Sequence, residues 1–519
     1  MRGIAGSSPS PREAASGSMV DQPRGFDLLR LPGVRRFVRW RYARLVFQVP
    51  LLLLAVMAIV DGLTGQPTAP RNVATASVWL HYRGLVVIAL AVFGNAFCAA
   101  CPLMLTRGLT RRVERWLPVT LAWPRALHNK VLVIVLTLAF LWSYEVFSLW
   151  ASPWLTAWLA IGYFLAAFVV DALFPAGTFC RYVCPLGNFN FALSSVSPTQ
   201  IGAVDAGVCR TCEHKPCLYG RETALAAASP PPGGAPARPA FIPLAEITNP
   251  NGSGSFPGCE TNLFVPAVES NMDCTLCLNC VRACPYDNVA LRVRAPGREL
   301  VRAPWARRGG LAVMLLGVLL TFWGVMNAVA MIGPFYTVGG WVARVVGTHS
   351  EALLIALLYG LVTLIGLGVT LAVATWSDVL GGAGARPWQA FQRWGYVVVA
   401  LGFGFWAAHY LFHFLTGAAA AVPVYEHFFS YRGVGLEPDW PLAHMMPARW
   451  LFPLQAVVTA LYAGLALVTA VRIGLRDFGR RGVVAMWPMF GFVLAFTAMQ
   501  ILVWAQPMQM RGTLFGPGH

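Results

Sequence analysis

Nine long apolar runs mark the chain, near 45–63, 79–97, 131–150, 154–174, 310–332, 352–375, 394–416, 450–472 and 484–505. Each approaches the roughly 20 residues a helix needs to cross about 30 Å of hydrocarbon. The pattern predicts about nine transmembrane helices, four before and five after the polar, turn-rich segment 175–308. Trp150, Trp154 and Trp158 at the start of the fourth run have the spacing of an interfacial aromatic belt.

Basic residues orient these helices. Arg30, Arg35, Arg36, Arg39, Arg41 and Arg44 precede the first run; Arg107, Arg111, Arg112, Arg115, Arg125 and Lys130 follow the second; Arg472, Arg476, Arg480 and Arg481 follow the eighth. Short Arg/Lys-rich loops stay in the cytoplasm, so the alternation places the N-terminus and 175–308 inside and the loop 417–449 outside. The expected organisation is a disordered basic tail (1–44), a four-helix membrane region (45–174), a cytoplasmic domain (175–308), a five-helix membrane region (309–505) and a C-terminal tail (506–519). Within the cytoplasmic domain, the Pro/Gly/Ala-rich stretch "ALAAASPPPGGAPARPA" reads as a flexible insertion near 222–258.

Composition agrees. Of the 519 residues, 57% are hydrophobic and 12% charged, with a mean hydropathy of +0.59, against about 25% charged in soluble domains. The net charge of +17 suits anionic headgroups at a lipid membrane. No soluble basic domain or reading motif accompanies that charge, so no nucleic-acid partner is expected.

All 12 cysteines lie between Cys98 and Cys284. The run "CTLCLNCVRACP" has Cys274-x2-Cys277-x2-Cys280-x3-Cys284-Pro285, the bacterial ferredoxin spacing for a [4Fe-4S] cluster. Upstream, "CRTCEHKPC" carries Cys209, Cys212 and Cys217, with Cys259 following the insertion. Two-cluster ferredoxins exchange their fourth ligands. One site should therefore take Cys209, Cys212, Cys217 and Cys284, and the other Cys274, Cys277, Cys280 and Cys259. The competing reading of such pairs is structural zinc. The fold expected is an α-helical integral membrane protein with an inserted cytoplasmic α+β bacterial-type 2[4Fe-4S] ferredoxin domain.

The last four cysteines stand where the second and fourth runs reach the cytoplasm, in "FCAACP" (Cys98, Cys101) and "FCRYVCP" (Cys180, Cys184). They form a ligand set for a third [4Fe-4S] cluster; the alternatives are buried thiols or a disulfide. Arg107, Arg112 and Arg181 nearby could offset the negative charge of thiolate-bound clusters.

These Cys-Pro motifs together with Cys274 to Cys284 resemble NapH/NosR-type membrane polyferredoxins over about residues 45–295. Within that group, "CRTCEHKPCLYG", "GCETN" and "SNMDCTLCLNCVRACPYDN" are most similar to FesM-like membrane iron-sulfur proteins. The resemblance implies electron transfer between quinol and redox partners. Its first membrane motif departs from the family, with two residues between Cys98 and Cys101 where three are usual. No covalent flavin site or CxxCH haem motif is present.

Ionisable residues at membrane depth are functional suspects. His409 and His413 lie one turn apart in the seventh run, with His427 and His444 beyond it. They could serve a haem b, a transition metal or a quinone carbonyl, or be structural. Asp61, His81, Arg83, Tyr144 and Glu145 gather toward the outer side of the first four runs. His81 and Glu145 are candidate proton acceptors for quinone chemistry, whereas Asp61, His81 and Arg83 also read as interface anchors. Asp171, beside the second membrane motif, reads as a headgroup contact or a proton carrier.

The expected function is a relay, at the bacterial cytoplasmic membrane, between a soluble cytoplasmic carrier of the ferredoxin kind and the quinone pool or another membrane redox subunit. It could act as a ferredoxin:quinone or quinol oxidoreductase, or as part of one. The alternatives are an accessory reductase for a metal or cofactor of another enzyme, and a redox sensor.

Overall fold

The computed structural model describes residues 25–107, 109–110, 121–212, 214–220, 256–302, 310–443 and 446–508. The chain is a multi-pass α-helical membrane protein. Eight helices among the described residues are long and apolar enough to cross a bilayer: Leu45–Thr64, Val73–Val92, Pro153–Leu173, Leu311–Val329, Glu351–Gly381, Pro387–Ser430, Arg449–Ala485 and Trp487–Trp504. Hydrocarbon offers the backbone no hydrogen-bond partners, so continuous apolar runs must satisfy themselves as helices.

The third run, 131–150, is helical over Val131–Val146 only, 16 residues, or about 24 Å at 1.5 Å per residue. That is short of a full span, and the chain turns at Ser148 with a φ of 45°. The second helix starts at Val73, earlier than its apolar run indicated, because Asn72 caps Ala74 and the small residues behind it continue the helix. Two further helices were not expected: Gly333–Val346, and Ala421–Ser430 within the presumed outer loop.

Packing divides the chain into two compact units that alternate along the sequence. The first comprises residues up to Leu54 with Ala89–Val133 and Ile161–Pro296; the second comprises Ala55–Ile88, Ile134–Ala160 and residues from Gly297 onward.

In the first unit, β1 (Thr199–Ala203) and β2 (Val289–Val293) pair antiparallel, with Ile201 opposite Leu291. Short helices Ala206–Thr211, Pro216–Tyr219 and Asn279–Ala283 lie between them in sequence. The core here is small: Ile201, Ala203, Val265, Leu276, Val281 and Val289 share it with Cys217 and Cys280. Residues 25–44 do not continue a disordered tail. Asp27 bridges to Arg292 and accepts the Leu291 amide at 3.0 Å, and Pro32–Arg39 is helical, with Val38 in the same core. Arg282 Nε donates to the Val38 carbonyl at 2.8 Å, which fixes this segment against the Asn279–Ala283 helix. The rest of the expected tail, the expected insertion near 222–258 as far as residue 255, and the end of the chain from 509 lie outside the described residues.

In the second unit the Pro387–Gly417 helix is central, buried from Trp394 to His409. Gly310–Val329, Glu351–Gly381 and Ala448–Phe478 pack against it. Close approach rests on small residues: a Cβ on Gly402 would lie 2.0 Å from Thr321 Oγ1.

Candidate functional site

The first unit gathers the twelve cysteines into three groups, all free of disulfides. Cys209, Cys212, Cys217 and Cys284 line one pocket, closed on its apolar side by Phe264, Val265 and Val289. The Ala206–Thr211 helix, capped by the Asp205 side chain on Gly207 N, presents Cys209; Cys212 follows its last turn. Cys284 ends the Asn279–Ala283 helix in an extended conformation, as the residue before Pro285 must. Asn288 donates from Nδ2 to Cys209 Sγ at 3.1 Å and from its backbone to Cys284 Sγ at 3.3 Å. Burial pushes the Cys217 thiol up to about 12, and neighbouring Cys209, Cys284 and Cys212 add to the rise.

Cys274 and Cys277 come from a tight loop whose turns use left-handed backbone at Asp273, Leu276 and Leu278, and Cys280 lies in the Asn279–Ala283 helix that follows. Cys259 completes this second group. Burial raises the Cys280 thiol well above its ordinary range, reinforced by Cys277, Cys259 and Cys274. The Leu263 amide donates to Cys259 Sγ at 3.2 Å.

Cys98, Cys101, Cys180 and Cys184 form the third group. Burial lifts Cys184 to about 12, and the nearby Cys101 adds to it; Cys180 is raised by burial, with Cys184 and Cys101 among its neighbours. Gly187 N donates to Cys184 Sγ at 3.2 Å and Asn190 Nδ2 to Cys98 Sγ at 3.5 Å. Asn188 Nδ2 holds the carbonyls of Cys180 and Cys184, each at 3.0 Å.

Among the described residues, no three His, Cys, Asp or Glu side chains converge as ligands of a single metal ion do. A four-iron cage spreads its thiolates over different irons, a wider arrangement than the one point a lone ion needs.

Buried charges surround the second and third groups. Arg44 Nη1 meets Glu260 Oε1 at 2.5 Å, and its Nε donates to the Ala99 carbonyl at 3.2 Å. Arg107 Nε donates to Asp171 Oδ2 at 2.8 Å. Asp171 is thus a buried ion-pair partner and not a headgroup contact. Lys130 Nζ donates to Asp273 Oδ1 at 2.5 Å, Arg181 O at 2.7 Å and Asn188 Oδ1 at 2.9 Å. Burial opposes ionisation of Glu260, but Arg44 and Arg107 outweigh it and hold the carboxyl below its usual range. Lys130 and Arg181 do the same for Asp273. Arg112 lies outside the described residues. Glu260, Asp273 and Asn288 were not singled out by sequence, and Lys130 only as an orienting charge; for the first two the available signal was direct adjacency to Cys259 and Cys274.

The second unit holds the membrane-depth candidates. Arg83 is buried against the rings of Trp79, Tyr144 and Tyr410, at 5.0, 4.6 and 5.2 Å from their centroids. Glu145, also buried, accepts from Asn327 Nδ2 at 2.9 Å. His409 and His413 are buried with ring centroids 4.8 Å apart, and His409 stacks on Trp504. His409 Nδ1 and His413 Nε2 have no hydrogen-bond partner among the described residues. Both histidines lie within electrostatic reach of Arg83, which itself is within reach of Glu145. His81 is separate in its bonding, with Nε2 3.1 Å from the Gly417 carbonyl.

Asp61 and Arg83 are not interface anchors. Asp61 is buried, pairs with Arg432 at 3.1 Å and accepts the Val73 amide at 2.7 Å. Trp154 and Trp158 are exposed, whereas Trp150 is buried with Trp79 and Tyr144 and so is not part of the expected aromatic belt. His427 packs beside Tyr431 and Trp440; His444 lies outside the described residues.

No family model matches the chain, and neither does any curated protein or solved structure.

Proposed function

We propose that the protein is a membrane-bound iron-sulfur electron-transfer protein, with three [4Fe-4S] clusters held by the three cysteine groups. Within that class, we read it as a relay between a soluble cytoplasmic carrier and the quinone pool. The carrying observation is the sorting of twelve cysteines into three spatial groups of four, each with backbone or side-chain N–H groups directed at sulfur.

The cysteine pattern of Cys274 to Cys284 and the antiparallel pairing of β1 with β2 around short helices favour a bacterial-type ferredoxin domain for the first two sites. Arginine asymmetry favours a cytoplasmic location for it, in a bacterial inner membrane. Bound clusters supply one-electron carriers; the chain's part is to hold them and bias their potentials. Asn288 does this by donating to two sulfurs of the first group, and Gly187 and Asn190 do it for the third. Donors to sulfur spread the negative charge and favour reduction.

At the other end, quinone reduction takes up two protons with two electrons, and quinol oxidation releases them. Glu145, His409 and His413 are the groups suited to hold a proton or a quinone carbonyl, since burial leaves His409 Nδ1 and His413 Nε2 without a hydrogen-bond partner among the described residues. Arg83 keeps a fixed positive charge beside them.

Anaerobic purification with iron and sulfide counting, EPR after dithionite reduction and then addition of a soluble quinone tests the reading. About twelve irons, four per cluster, and reduced signals that vanish with quinone are expected. Iron content near zero, or signals indifferent to every quinone tried, would overturn it.

A further inference from the structure

The solvent side of the first cysteine pocket is bordered by basic side chains. Pro285 and Tyr286, which line the pocket, are exposed, Tyr286 at 59%. The next residue, Asp287, pairs with both Arg35 and Arg39 of the Pro32–Arg39 helix. Lys215 precedes the lining residue Pro216, and its Nζ stands 5.6 Å from the ring centroid of Phe264, another wall of the pocket. Arg210, which is exposed, adjoins Cys209. Asp205 at this rim caps Gly207 N, and Glu213 lies outside the described residues. Among the described residues, four cations thus flank two carboxylates, one of them shared by two arginines. In a chain of net charge +17, such a rim suits an anionic partner.

The arginine pair is turned away from the membrane contacts of its own helix. Phe37 packs edge-on against Phe47 of the Leu45–Thr64 helix, with ring centroids 6.0 Å apart. Arg35 and Arg39 each stand two positions from Phe37, about 200° around a helix of 3.6 residues per turn.

Hydrogen bonds join the three groups to one another. The Cys259 amide of the second group donates to the Cys217 carbonyl of the first at 3.0 Å. Asn95 Nδ2 donates to the Cys274 carbonyl of the second at 2.8 Å, and the Asn95 carbonyl accepts the Cys98 amide of the third at 3.0 Å. The second group therefore adjoins both others. Cys98 and Cys180 of the third follow the ends of Val73–Val92 and Pro153–Leu173 within seven residues. That puts the third group at the membrane end and leaves the first as the end open to a soluble partner.

We propose that Arg35, Arg39, Arg210 and Lys215, set around Tyr286, form the docking surface for an acidic soluble one-electron carrier protein. The proposal rests on the reading that the cysteine groups hold clusters, and it deepens that reading by naming the port and the charge of the partner. One electron crosses the contact: the reduced carrier loses it, the first site gains it, and no bond or proton is exchanged. The rim charges steer the encounter.

The chain has two lysines, Lys130 and Lys215, and Lys130 is buried. A zero-length carbodiimide cross-link to carrier carboxylates should therefore form at Lys215. The test mixes the full-length protein, in detergent and in nanodiscs of anionic lipid, with an acidic 2[4Fe-4S] ferredoxin, an acidic flavodoxin or, as the like-charged control, a basic cytochrome c. Mass spectrometry should find the Lys215 cross-link in both settings with at least one acidic carrier and not with cytochrome c; this readout needs no variant to fold. Association should weaken steeply with salt as the Debye length falls from about 10 Å at 0.1 M to about 3 Å at 1 M. Arg210→Glu combined with Lys215→Glu should slow association by about tenfold or more at unchanged iron content, whereas Lys215→Arg should keep the affinity and lose the cross-link. No association with either acidic carrier, a cross-link found only elsewhere, or an unchanged rate in the double variant would overturn the docking surface while leaving the clusters standing. Loss of the cross-link in nanodiscs alone would assign the rim to lipid and overturn it as well. Wild-type protein lacking iron would fail the cluster reading itself, and the port would fall with it.

Discussion

Asn288 serves Cys209 through its side chain at 3.1 Å and Cys284 through its backbone at 3.3 Å, so one residue supports two sulfurs contributed from far apart in the sequence. The same side chain accepts the Asp205 amide at 2.8 Å, which ties it to the loop carrying Cys209.

Asn288→Ser removes the Nδ2 donor and keeps the backbone one. A hydrogen bond to a charged group contributes about 1.5–3 kcal/mol, and most of that is expressed when negative charge builds on sulfur. The first-group cluster should become harder to reduce by tenfold or more, with the other two unmoved, as read by redox titration followed by EPR.

Lys130 is a buried staple between the second and third groups. It reaches Asp273, next to Cys274, and the Arg181 carbonyl, next to Cys180. Lys130→Met leaves Asp273 with the longer Arg181 contact at 3.6 Å as its ion pair among the described residues. Removing one partner of a buried pair typically costs about 3–5 kcal/mol. The variant should release iron to a chelator several-fold faster than wild type, and equal rates would show that the staple is dispensable.

Gly177 adopts a φ of +90°, and a Cβ there would stand 2.1 Å from the Glu260 carbonyl oxygen. Both the left-handed backbone and the contact bar a side chain. Gly177→Ala should push the Cys259–Glu260 segment away, lowering iron by up to about four atoms, one cluster's worth, and weakening the Arg44–Glu260 pair. Iron analysis beside thermal stability separates this local loss from global unfolding.

Glu145 and the His409–His413 pair belong to the second unit, away from any cysteine in sequence. Glu145→Gln and His413→Leu should therefore leave iron content and reduced-cluster EPR intact. Quinone-dependent reoxidation should slow by about 10²-fold or more if these residues move protons as general acid–base groups do. Unchanged reoxidation in both would remove them from the quinone reaction.

Much of the architecture could be read along the chain because its causes are local. An apolar run of about 20 residues has one way to satisfy its backbone in lipid, so each run marks a helix; closely spaced cysteines before proline define their own turns. Helix ends were less legible. The caps at Asn72 and Ser350 extend helices into sequence that is not itself a strong apolar run, and the Val131 helix stops short of its run.

What tertiary structure alone decided is which distant residues meet. Nothing in the spacing says that Glu260 receives both Arg44 and Arg107, that Asp171 is an ion-pair partner, or that Arg83 is buried among Trp79, Tyr144 and Tyr410. Burying a charge is too costly unless the fold supplies a counter-charge or a ring, and the supplier stands tens to hundreds of positions away. The cysteines and their spacing were written in the sequence, but the electrostatics around them exist only once the chain has closed.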